Sequence, residues 1–229
     1  MQPDPFSEQG ADRHAFKVFV WDLPTRLFHW LLVGCLVISF VTAVGGGNAM
    51  SYHLLSGCAI LALLLFRVVW GFAGSRTSRF ADFVKGPAAV FGHVRGLFST
   101  KSVPCLGHNP LGGWSVLLML LVVAVQIGTG LFASDDIFTE GPLYPLVDRE
   151  TAGFLTRVHQ INRFVLIGSV GVHVLAVAFY FFVKREDLLT PMITGKKRWH
   201  AEFSPAVAGN ARAAVIFTPI ALGVYWLLC

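Results

Sequence analysis

The chain is 229 residues long, 55% hydrophobic and only 14% charged, with a net charge of +5. That balance excludes an ordinary soluble domain. It leaves room for four or five membrane-crossing helices with short connections, since one span takes roughly 20 apolar residues. A lipid bilayer is the expected surrounding, and no nucleic-acid partner is expected.

Residues 1–19 read as a polar tail. Asp4, Glu8, Asp12, Arg13 and Lys17 interrupt any apolar centre, so this is not a secretory leader and the first apolar run is expected to stay in the mature protein. That run is Leu27–Val44, closed by Gly45-Gly46-Gly47. The second is Leu54–Ala73. The third, Trp114–Phe132, follows the breaker His108-Asn109-Pro110-Leu111-Gly112-Gly113, and the fourth is Val158–Val183. Helix is the only single-segment structure that satisfies its own backbone in hydrocarbon. The expected fold is therefore an all-α integral membrane protein, with a four-helix transmembrane unit over residues 20–195. The segment 196–229 holds a weaker run, Ala213–Cys229, which contains Pro219. It is expected to be a fifth transmembrane helix, the alternative being an interfacial helix.

Lys and Arg in the connections set the orientation. Arg76, Arg79, Lys85, Arg95 and Lys101 stand against Asp82 between spans two and three. Asp135, Asp136, Glu140, Asp148 and Glu150 stand against Arg149 between spans three and four. Lys184, Arg185, Lys196, Lys197 and Arg198 follow span four. The N-terminus and the basic connections are expected on the cytoplasmic side of a bacterial inner membrane, with the acidic connection outside. Cys35 and Cys58 fall in spans, Cys105 in a loop and Cys229 at the end, so no disulfide framework is expected. There is no Cys-x-x-Cys-His for covalent haem attachment, nor any Cys-x-x-Cys pair.

Four histidines lie in or at the ends of apolar spans: His29, His53, His159 and His173. Desolvating an imidazole costs free energy unless something binds it. His29 opens span one at the inner side. His53 and His159 open spans two and four at the outer side. His173 follows His159 by 14 residues, about 21 Å deeper at 1.5 Å per residue and on nearly the same helical face. Depth alone pairs His29 with His173 and His53 with His159. Two imidazoles at each of two levels suit two stacked haem b groups, each held by a pair of histidines. One such histidine alone reads more readily as a packing or proton-relay group. His14, His93, His108 and His200 lie in tails or loops and read as solvated surface.

Gly57, Gly128, Gly130, Gly168 and Gly171 cluster near these histidines, as a porphyrin edge or close helix packing would require. Four arginines are candidates to pair with haem propionates. Arg26 sits one turn before His29, Arg157 and Arg163 flank His159, and Arg67 follows His53 by 14 residues. Snorkelling to the interface is the alternative for Arg26 and Arg157, and a quinone headgroup the alternative for Arg67.

Val20-Trp21-Asp22-Leu23-Pro24-Thr25-Arg26-Leu27-Phe28-His29-Trp30 resembles the opening of bacterial cytochrome b561 proteins. It resembles especially the branch related to the di-haem cytochrome b subunits of nickel–iron hydrogenases. Phe66-Arg67-Val68-Val69-Trp70-Gly71 resembles that family's end of span two, and His108–Gly113 its start of span three. The resemblance implies a four-helix bundle with two bis-histidine b haems at His29, His53, His159 and His173. It also implies electron exchange between a quinone pool, ubiquinone or menaquinone, and a redox partner at the outer face. The chain departs from the pattern in its short, uncharged first loop and its apolar tail after residue 210, which could dock other membrane subunits.

The expected function is thus membrane electron transfer between quinone and a periplasmic redox partner, either a c-type cytochrome or a hydrogenase-like subunit. Superoxide-driven ubiquinone reduction is one alternative, disfavoured because that reaction suits a positive outer funnel. A non-redox anchoring or assembly subunit is the other.

Overall fold

The structure, a computed structural model, describes residues 16–97, 105–199 and 206–229. The tail residues 1–15, with the leader reading that rests on them, and Lys101, His14 and His200 lie outside the described residues. Six helices organise the rest. They are α1 (Leu23–Gly45), α2 (Met50–Ala73), α3 (Pro87–Gly96), α4 (Pro110–Gly130), α5 (Arg149–Phe182) and α6 (Asn210–Leu228). All but α3 are long and apolar enough to cross a membrane. Their outward faces stay apolar and exposed, as at Val41, Leu175 and Trp226, which is what a hydrocarbon surround demands.

All five spanning helices begin earlier than hydropathy alone suggests, and at three of them a polar cap sits upstream of the apolar run. Asp22 accepts from the Thr25 N–H at 2.8 Å to start α1, with Pro24 in its first turn. Asn109 accepts from the Gly112 N–H at 2.7 Å to start α4. Asp148 accepts from the Thr151 N–H at 2.8 Å to start α5. The 34 residues of α5 span about 51 Å, so the helix stands proud of the bilayer. The basic connection expected as loop contains α3, a short helix tied to α5 by His93, whose Nε2 lies 2.8 Å from the Tyr180 hydroxyl.

Two antiparallel hairpins, α1–α2 and α4–α5, form the body, and α6 lies along α2 and α1. Ile60 and Leu64 of α2 meet Val122 and Val123 of α4 and Leu166 of α5 in the central core. Phe28, Leu63, Phe66 and Trp70 pack with Ala213 at the base of α6, and Ala62 with Val224 further along it. That lengthwise contact sets α6 as a fifth spanning helix rather than an interfacial one. The closest helix partner of α5 is α4; α5 meets α2 at Leu166 and otherwise stands off from α1 and α2. The gap between the hairpins is where the histidines face.

The basic end is closed by a knot of buried polar groups. Asp22, 1% exposed, also accepts from Trp70 Nε1 at 3.1 Å and from the Ser78 hydroxyl at 3.4 Å. The Ser78 hydroxyl in turn lies 2.7 Å from Thr25 Oγ1. One carboxylate thereby joins the start of α1 to the end of α2 and the turn beyond it. Beneath this knot a two-stranded antiparallel ribbon pairs β1 (Phe16–Phe19) with β2 (Lys196–Trp199). The ribbon's flanking turn needs Gly195, whose φ is +81° and whose carbonyl accepts from the Val20 N–H at 2.8 Å.

The cysteines depart from expectation. Cys58 of α2 and Cys229 beyond α6 form a disulfide, while Cys35 and Cys105 are in no disulfide. The two partners are 171 residues apart, so no local spacing announces the bond, and only the antiparallel packing of α6 on α2 creates it.

Two outcomes follow. Thiol labelling of the unreduced protein should modify Cys35 and Cys105 only, with Cys58 and Cys229 gaining label after reduction, as read by mass spectrometry of peptides. Asp22→Ala should lower the stability of the detergent-solubilised chain by about 3 kcal/mol, since it strands buried donors. A thermal midpoint equal to that of the unmodified chain would contradict the structural role given to Asp22.

Candidate functional site

The four histidines of the spans meet in two pairs. His29 of α1 faces His173 of α5 with ring centres 6.4 Å apart, and His53 of α2 faces His159 of α5 at 6.3 Å. These gaps are too wide for a hydrogen bond between rings. A metal–nitrogen bond of about 2 Å on each side, plus about 1.2 Å from each nitrogen to its ring centre, sets two trans imidazoles roughly 6.4 Å apart. The spacing is that of two imidazoles on opposite sides of one metal atom. Two nitrogens alone do not complete a coordination sphere. Among the described residues there is no group of three or more His, Cys, Asp or Glu that could hold a metal ion. A metal between each pair would need its remaining ligands from another group, such as a planar macrocycle, and a cavity that could admit part of one opens beside His53 and His159.

The pair at the acidic end is held by its surroundings. His53 Nδ1 donates to the Ser39 carbonyl of α1 at 2.9 Å, and His159 Nδ1 donates to the Gln126 carbonyl of α4 at 2.9 Å. A carbonyl only accepts, so each Nδ1 carries the proton and each Nε2 is left with its lone pair. Gln126 is held by Asn162 of α5, which donates to its Oε1 at 2.8 Å and to the Val122 carbonyl at 3.0 Å. The Gln126 side-chain amide also approaches His159 Nε2 at 3.1 Å, so a metal at that nitrogen displaces this contact. Ser39 is fixed by a 2.6 Å contact between its hydroxyl and that of Ser56. Gly130 is required where it stands, because a Cβ there would come within 2.8 Å of the His159 ring. Gly57, Gly128, Gly168 and Gly171 have open space where a Cβ would point, so close helix packing does not explain them.

A cavity opens between His53 and His159, walled by Leu36, Phe40, Gly57 and Leu166. The acidic connection roofs it through Ser134, Asp135 and Thr139. Asp135 is a rigid point of that roof. It accepts from the N–H groups of Ile137, Phe138 and Thr139 at 2.8–2.9 Å, which hold its carboxyl well below the usual carboxylate range. Outside the roof Phe138 is 96% exposed beside Asp136 and Glu140.

The four arginines have different fates. Arg163 reaches the wall of the acidic-end cavity, its guanidinium 4.6 Å from the Phe164 ring centre. Arg157 is exposed on α5. Arg26 turns toward the ribbon, where Nη1 donates to the Ile193 carbonyl and Nε is buried without a partner. Arg67 is 3% exposed and lies over the Phe80 and Phe83 rings at 5.0 and 5.9 Å, with Nη1 unpartnered.

Two of the four remaining histidines can be placed, and neither is solvated surface. His93 is engaged with Tyr180, as above. His108 is wedged between Trp21 and Phe83, with ring centres at 4.7 and 4.6 Å, and its Nδ1 is sealed without a partner. Burial, with Arg67 and His173 nearby, pushes its pKa down to about 3. Sequence reasoning also missed Asp22, Ser39, Gln126 and Asn162. Polar residues inside or at the mouths of apolar runs were the available signal.

Comparison with known proteins agrees with this geometry. Residues 20–195 match the family described as prokaryotic cytochrome b561. The chain is 27% identical over 222 residues to a probable Ni/Fe-hydrogenase B-type cytochrome subunit of Azotobacter chroococcum mcd 1, covering 82% of this chain and 91% of that one. It is 24% identical over 217 residues to the protein of the same description from Bradyrhizobium diazoefficiens, covering 80% and 86%. A probable Ni/Fe-hydrogenase 1 B-type cytochrome subunit of Escherichia coli K12 is 28% identical over 136 residues, covering 49% and 58%. No solved structure matches the chain. The paired imidazoles, the five apolar helices and the match over residues 20–195 lead to one assignment: the chain belongs to the prokaryotic cytochrome b561 family, and is a membrane b-type cytochrome.

Proposed function

We propose that this protein is a di-haem cytochrome that carries electrons across a bacterial inner membrane, between the quinone pool and a periplasmic redox partner. The observation that carries the reading is the pair of imidazole gaps, 6.4 and 6.3 Å, at two levels of one bundle. His29 and His173 would hold one haem b, and His53 and His159 the other. A bound haem b supplies reversible one-electron chemistry at its iron. The residues' part would be to hold each haem between two imidazoles, His29 with His173 and His53 with His159, and to exclude water. Arg163 and Arg67 are the arginines best situated to meet propionates. Arg157 and Arg26 contribute charge at the two ends.

The N-terminal side faces the cytoplasm in this reading, because the basic connections lie at that end. The relatives' hydrogenase association suggests a partner of that class, and a basic c-type cytochrome is the other candidate. Asp136, Glu140 and Glu150 around the acidic-end cavity favour a partner with a positive rim by electrostatic steering. The quinone would then be served from the basic end.

The purified chain should be coloured and should carry two haems per polypeptide. His29→Ala and His173→Ala should each remove one haem and spare part of the other, and His53→Ala and His159→Ala should do the reverse. The pyridine haemochrome content should fall from two to about one in each variant. Loss of the same haem from His29→Ala and His53→Ala would refute the pairing, and one haem or none in the unmodified chain would refute the reading.

A further inference from the structure

The basic end holds polar groups that neither the helix packing nor the histidine pairing uses. Arg67 is 3% exposed, yet its Nη1 has no hydrogen-bond partner. His108 Nδ1 is sealed in the same way. The two are neighbours: the Arg67 guanidinium lies over Phe83, and the Phe83 ring packs on the His108 ring. Both lie on the side of the bundle where His29 faces His173, and His108 is within electrostatic reach of Arg67 and His173. Asp22 also acts on Arg67, but its oxygens are bonded to Thr25, Trp70 and Ser78.

A buried guanidinium with an idle N–H, beside a half-buried ring whose Nδ1 is sealed and idle, is costly unless an acceptor completes it. Each group can donate, so the missing partner is an oxygen acceptor, and an anionic one best offsets the arginine charge. A haem b seated between His29 and His173 brings two carboxylates of its own. We propose that Arg67 and His108 together bind a propionate of the haem at the basic end, making His108 a haem-binding residue. The inference rests on the di-haem reading. A quinone carbonyl would present the same acceptor chemistry, and the experiment separates the two sources.

The test is a spectroscopic redox titration of the purified full chain with both haems, compared with Arg67→Gln, Arg67→Lys, His108→Leu and His108→Gln. Losing the Arg67 charge or the His108 donor leaves the propionate charge less compensated, which favours the ferric state. Arg67→Gln and His108→Leu should therefore each lower the potential of one haem, the one lost in His29→Ala. The expected shift is at least tenfold in that haem's reduction equilibrium, about 59 mV for one electron. The other haem should not move. Arg67→Lys, which keeps the charge, and His108→Gln, which keeps a donor, should shift it less, and they carry the test if a harsher variant fails to fold. The propionate bands in resonance Raman spectra should change in the same variants. Unmoved potentials in all four variants, or a shift confined to the other haem, would overturn the proposal. So would loss of quinol-driven reduction with both potentials unchanged, which would assign the donors to a quinone. A chain without haem would overturn the di-haem reading as well, whereas two haems with unmoved potentials would overturn this inference alone.

Discussion

The fold is arranged around imidazoles, half-buried among apolar helices, that stay paired and apart. A buried ring without a partner is expensive, and two rings in contact would satisfy one another and close the bundle. Here the hairpins α1–α2 and α4–α5 are held so that each pair stops about one metal atom short of closure. Cores on either side keep that distance. Leu166 is clasped between α2 and α4, while the close partner of α5 is α4 alone. Collapse of α5 onto α1 would fill the space and cost the function, so packing is concentrated where it does not close the gap.

The two ends maintain the gap by different means. At the acidic end, backbone carbonyls of Ser39 and Gln126 orient the rings, and the Asp135 turn roofs the cavity. At the basic end a single carboxylate, Asp22, gathers Thr25, Trp70 and Ser78. The segments around Asp22 and Arg67, two of the stretches that resemble the family, therefore meet in space. Their resemblance to relatives has a physical reading: the Asp22 carboxylate caps α1, fixes Trp70 and sits within reach of the Arg67 charge.

The spans were legible in sequence because hydrocarbon permits only helices of bilayer length. The histidine pairing was legible for a similarly simple reason. Depth along an antiparallel bundle is fixed by counting residues, so His159 and His173 on one helix dictate which partners they can meet. Helix starts were read too late at α1, α4 and α5, since hydropathy does not register a capping Asp22, Asn109 or Asp148. The Cys58–Cys229 bond and the β1–β2 ribbon join segments from opposite ends of the chain, and no local pattern encodes such a contact. His108 was misread because a histidine before Asn-Pro looks like loop surface. Its burial arises only when Trp21 and Phe83 close over it from other segments.

The two sites are not chemically equivalent. His53 and His159 each give their Nδ1 proton to a carbonyl, which makes a ring a stronger electron donor to a metal and favours the ferric state. His29 Nδ1 is buried without such an acceptor, and the Arg67 cation stands at the same end. Both differences favour the ferrous state there. On the proposed ligation the basic-end haem would have the higher potential, and electrons would run downhill from the acidic face toward the basic one. That direction suits a donor docked at the acidic connection and a quinone reduced from the opposite leaflet. Coincident potentials in a two-wave titration, or the higher one at the His53–His159 site, would contradict it. The asymmetry needs no difference in ligand type, only in what stands behind each ring.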